Sequence, residues 1–158
     1  MKNSDIAKIS LLTALALIFG YIESLFPLPV SVPGIKLGLS NIVILFALER
    51  IGAKKAFLIL LLKVFVSSLL FSGMPALIYS LAGGLCAYFA MRAAYKYGLS
   101  VIGTSAAGAV FHNIGQVAAA AAVLGSSAPF YYLPFLLPAG VLTGIISGII
   151  CKSVMKSL

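Results

Sequence analysis

Residues 56–73 read AFLILLLKVFVSSLLFSG, a run in which Lys63 is the one charged side chain. Spanning the hydrocarbon of a bilayer takes about 20 residues of apolar helix, so the stretch predicts a membrane span. An ammonium inside such a helix is expensive unless it meets an opposite charge, a wet cavity or an anionic ligand. Lys63 is therefore the first candidate for function.

Similar runs flank it on both sides. They cover roughly Ile6–Leu25, Leu37–Glu49, Pro75–Ala94, Val101–Leu124 and Tyr131–Ser153, with Ala56–Phe71 as the span just quoted. Between them stand FPLPVSVPGIK at 26–36, ERIGAKK at 49–55, Gly73-Met74-Pro75, RAAYKYG at 92–98 and GSSAPF at 125–130. Pro27, Pro29 and Pro33 exclude regular helix from the first of these connections. The pattern predicts a single-domain, all-α integral membrane protein with six transmembrane helices. Only 9% of the 158 residues are charged, against about 25% in an average soluble domain. That composition leaves no room for a soluble catalytic domain.

The net charge of +8 invites a nucleic-acid reading, but its placement argues otherwise. Lys2, Lys8, Arg50, Lys54, Lys55, Arg92, Lys96, Lys152 and Lys156 all fall at one end of the expected spans, while Lys36 stands alone at the other. Such asymmetry is the positive-inside pattern, so both termini are expected in the cytoplasm of a prokaryotic cell, with membrane lipids as neighbours. No nucleic-acid partner is expected. Cys86 and Cys151 lie in apolar runs without CxxC spacing, and no acid accompanies the single histidine at depth. Neither a metal nor another cofactor is expected on these grounds.

The candidate binding residues are Glu23, Lys36, Asn41, Lys63, Tyr79, His112, Asn113 and Gln116. Glu23, Lys36 and Asn41 fall near the outer surface in this topology, and Lys63 lies about 12 Å deeper at the helical rise. In FHNIGQ, His112 and Gln116 are one helical turn apart and Asn113 neighbours Gln116, giving a broad polar face. Each has a structural alternative. Lys63 either pairs with Glu23 or extends toward water, or it meets a ligand. The amide and imidazole groups either tie helices together or line a polar pocket. Small-residue spacings at Ser10/Ala14, Ala16/Gly20 and Gly140/Gly144/Gly148 mark faces for close helix packing or for a membrane partner.

PGIKLGLSNIVILFAL at 33–48, SLLFSG at 68–73, YSLAGG at 79–84 and GAVFHNIGQ at 108–116 resemble, in that order, the Gx transporter family. Its members are commonly labelled heptaprenyl diphosphate synthase component I. The family is similar to the substrate-binding S components of energy-coupling factor transporters, which implies a six-helix bundle with an outward pocket. Pro33, Gly34, Lys36, Leu37, Gly38 and Asn41 match the first motif, and His112, Asn113, Gly115 and Gln116 the last. Lys63 departs from the arginine more usual there, losing a bidentate fork for phosphate or carboxylate. Docking on a coupling T protein through AxxxA would fall to Ser10/Ala14 or Ala16/Gly20, an imperfect match.

Two functions compete on these grounds. The first is a membrane solute-binding and uptake component for a small vitamin-like or phosphorylated compound, served by separate coupling and ATPase subunits because no GxxxxGK[ST] loop is present. The alternative is a noncatalytic membrane subunit of prenyl diphosphate or quinone synthesis, holding a prenyl chain or its diphosphate beside a catalytic subunit. Prenyl transfer needs clustered aspartates for magnesium, and Asp5 is this chain's only aspartate. The chain is not expected to be an enzyme by itself. An outward polar pocket favours uptake, and a lateral apolar groove favours the prenyl partner.

Overall fold

The computed structural model describes residues 3–25 and 39–157, with the side chains of 71, 72 and 75 excepted. Its helices are α1 (Asn3–Ser24), α2 (Asn41–Arg50), α3 (Ala53–Ser67), α4 (Gly73–Lys96), α5 (Val101–Leu124) and α6 (Leu133–Ser157). A π-turn over Ser68–Ser72 joins α3 to α4, and a 3-10 turn over Ala128–Tyr132 leads into α6. No strand occurs among the described residues.

The expectation of six transmembrane helices is corrected to four. Among the described residues, only Asn3–Ser24, Ala76–Lys96, Val101–Leu124 and Ala128–Ser157 are long and apolar enough to cross a membrane. The 10 residues of α2 and the 15 of α3 each fall short of the roughly 20 that a span takes. The apolar run at 56–73 misled because it is not one helix. Its α-helical part ends at Ser67, whose hydroxyl back-bonds to the Val64 carbonyl at 3.1 Å, and the π-turn follows. Gly73 then closes the turn at φ 75°, a left-handed conformation that a side chain would strain.

At the other end of α3, Gly52 adopts φ 95° and lets α2 and α3 fold back as a short hairpin. This hairpin is the apolar heart of the molecule: Ile44, Leu45, Ala47, Ile59, Leu60 and Val64 are fully or almost fully buried. By contrast α1 and α6 expose Leu11, Ile18, Phe135 and Leu142. Apolar outer faces with polar groups inside are what a bilayer selects. The chain is a multi-pass membrane protein.

Close approach is built from glycine. A Cβ on Gly144 would stand 2.6 Å from the Ala106 Cα, and one on Gly148 2.7 Å from the Ile102 Cα, so α6 lies backbone-to-backbone on α5. On the other side of α5, a Cβ on Gly115 would come within 2.8 Å of the Ala82 carbonyl oxygen. The Gly140/Gly144/Gly148 face is therefore used inside the bundle.

One end of the bundle gathers the basic groups. Lys55 makes a 2.5 Å ion pair with Asp5 at the start of α1, and Arg50 donates to the carbonyl of Met155 near the end of α6. Tyr88 of α4 reaches the Ala53 carbonyl at 2.9 Å. The start of α1 and the end of α6 thus lie on the same side of the bundle.

Candidate functional site

Far from that basic end, α1, α3, α4 and α5 surround a small polar pocket lined by Gly20, Glu23, Ser40, Lys63, Ser67, Ser80, His112 and Gln116. Lys63 is placed one turn before Ser67 and only 7% exposed. It runs beside Gly20, where an added Cβ would meet its Cε at 3.9 Å. Glu23 is one turn further along α1 and 6% exposed. His112 and Gln116 share a face of α5 and are held against Gly83 of α4, where a Cβ would stand 2.6 Å from the Gln116 Cγ. The free volume is about 10 Å³, which is room for about one water molecule.

Of the eight residues expected from sequence, Glu23, Lys63, His112 and Gln116 meet in this pocket. Asn113 does not: it is fully buried, points to α6 and donates a 2.7 Å hydrogen bond to the Leu136 carbonyl. Asn41 is buried at the start of α2 outside the lining, and its amide oxygen and nitrogen have no hydrogen-bond partner among the described residues. Tyr79 is buried on α4 next to the lining residue Ser80, not in the lining. Lys36 lies outside the described residues. Ser67 and Ser80 were not legible as pocket residues, because a serine in an apolar helix looks like any small residue until its neighbours are known.

The larger opening is elsewhere. A groove of about 750 Å³ runs between α1, α2 and α6, walled by Leu11, Leu12, Leu15, Phe19, Ile42, Phe46, Ile150 and Val154, with Lys8 and Arg50 also on its lining. Leu11 is 71% exposed, so the groove is open along the side formed by α1. On α1 its residues recur at 8, 11, 12, 15 and 19, a single helical stripe. Its size lies within the roughly 300–1,000 Å³ of ordinary ligand sites.

A sequence model described as heptaprenyl diphosphate synthase component I matches residues 12–154, nearly the whole chain. The chain belongs to the heptaprenyl diphosphate synthase component I family. No curated protein and no solved structure matches the chain. Nothing supports a Gx transporter or S-component identity, and the expected solute-uptake function is corrected by the family match. The reasoning from S components carried over a six-span bundle with an outward pocket. Among the described residues this family member has four helices long and apolar enough to cross a membrane, where the S-component reading expects six.

Proposed function

We propose that the chain is a noncatalytic membrane subunit of a prenyl diphosphate synthase, holding an isoprenoid chain at the bilayer beside a separate catalytic subunit. The observation that carries this reading is the family match over residues 12–154. The acids support the division of labour. Asp5 is paired with Lys55, Glu23 lies in the polar pocket and Glu49 stands at the end of α2. Among the described residues no three potential metal-ligating side chains come together. Diphosphate chemistry through clustered carboxylates would then belong to the partner.

The basic end suits that partnership. With an even number of spans and nine of the eleven lysines and arginines toward one side in the sequence pattern, the positive-inside rule directs this end to the cytoplasm, where water-soluble diphosphates and a soluble catalytic subunit are available. The polar pocket then serves the bundle: Glu23, Lys63, His112 and Gln116 bring α1, α3 and α5 together around room for about one water. Co-purification tests the assignment. The tagged chain, gently extracted from its own membranes, should bring down a prenyl diphosphate synthase in stoichiometric amount, and recovery of ABC-type ATPase and coupling proteins in its place would overturn it.

A further inference from the structure

The lateral groove is not uniform along its length. Lys8 on α1 and Arg50 on α2 line it at the basic end, and Phe19 and Ile42 line it at the other. The 11 residues from Lys8 to Phe19 correspond to about 16 Å of helix at the standard rise. A site that is cationic at one end and apolar along the rest of its length fits an amphiphile with an anionic head. A neutral solute would leave one half of it unused.

Building on the subunit reading above, we propose that this groove binds a prenyl diphosphate, with the diphosphate at Lys8 and Arg50 and the first isoprene units along Leu15, Phe46 and Phe19. Charge complementarity selects the head. Two cations on facing helices meet one end of one groove, which matches a diphosphate carrying more than one negative charge on adjacent phosphates. A phosphatidylglycerol head carries a single charge. Arg50 gives one donor to the Met155 carbonyl, and its guanidinium has further N–H groups with which to grip a phosphate. The rigid branched isoprene units meet aliphatic and aromatic side chains, and the tail beyond Phe19 passes into the bilayer through the open side.

Native mass spectrometry of the detergent-purified chain tests this, with geranylgeranyl diphosphate, geranylgeraniol and phosphatidylglycerol as probes. The diphosphate should bind at least tenfold more tightly than either of the others. Lys8→Gln, which leaves the Arg50 contact to Met155 intact, should weaken it severalfold, and the Lys8→Gln/Arg50→Gln pair by on the order of tenfold or more. Leu15→Trp should block the tail and lower binding of diphosphate and alcohol alike. A thermal melt of each variant separates lost binding from lost fold. Equal affinity for phosphatidylglycerol, or a diphosphate affinity unmoved in a folded double variant, would overturn the proposal. If the chain still supports its catalytic partner in that event, the groove assignment fails while the subunit reading stands.

Discussion

The Asn113 carboxamide donates a 2.7 Å hydrogen bond to the carbonyl oxygen of Leu136, joining the middle of α5 to the first turns of α6. The contact needs Gly140, since a Cβ there would stand 2.7 Å from the Asn113 Nδ2. Interhelical hydrogen bonds in membrane proteins average about 0.6 kcal/mol, reaching about 1.7. Asn113→Ala should therefore lower the thermal midpoint in detergent by a small amount. Asn113→Asp should cost more, because an ionised carboxylate cannot donate and would face a carbonyl. Equal midpoints for wild type and Asn113→Asp would show that the contact contributes nothing.

Glycine substitutions should divide by what their new methyl group meets. At Gly144 it meets the α5 backbone at 2.6 Å, so Gly144→Ala must push α6 away from α5 and cost about 1–3 kcal/mol. At Gly20 it meets, among the described residues, only the flexible Lys63 side chain, at 3.9 Å. Gly20→Ala should be neutral or slightly stabilising, given the helix preference of alanine over glycine of about 1 kcal/mol. Thermal melts of the two variants under one condition decide between this and a uniform intolerance.

Glu23 and Lys63 line the same nearly filled pocket with opposite charges, so their substitutions should not add. Removing one member of a buried charged set costs about 3–5 kcal/mol, whereas replacing both is often close to neutral. Lys63→Met and Glu23→Gln should each destabilise, and the double variant should recover much of the loss. Additive losses in the double-mutant cycle would place the two charges in separate networks.

This polar set also shows what the sequence could reveal. Lys63 and the His112/Gln116 pair stood out because polar side chains are rare and spaced by one turn in an apolar chain, and they do meet. Asn113 follows His112 directly, yet the 100° turn of the helix sends it to α6 instead. The hairpin of α2 and α3 was misread as two spans, since hydropathy records apolar length and not the π-turn that ends the helix at Ser67. The lateral groove was foreseen only as an alternative. Its walls are ordinary aliphatic and phenylalanine side chains whose arrangement depends on how α1, α2 and α6 lean together.

Burial raises the Glu49 carboxyl above its ordinary value of 4.5. The folded state therefore holds this proton more tightly than the unfolded chain, and ionised Glu49 works against folding. That burden is absent below pH 4.5, grows as pH rises through the window up to the raised folded value, and is full above it. Glu49→Gln should raise the thermal midpoint at neutral pH, with the advantage vanishing in acid. An advantage that is the same at both pH values would assign it to packing rather than charge.

Cysteine accessibility should locate the basic end. In a background lacking Cys86 and Cys151, a cysteine at Ser157 should react with a membrane-impermeant maleimide only after the cytoplasmic side is opened, and one at Ser126 in intact cells. The reverse pattern would invert the proposed orientation.

As proposed above, this chain acts as the membrane half of a prenyl diphosphate synthase. The most direct measurement of that role is prenyl transfer in liposomes containing the catalytic subunit alone, this chain alone, or both, with an allylic diphosphate and labelled isopentenyl diphosphate as substrates. Long-chain product should appear with both subunits and be absent with this chain alone, and the Lys8→Gln/Arg50→Gln variant should reduce it. Product of the same length and rate from the catalytic subunit alone, unaltered by adding this chain, would contradict the account.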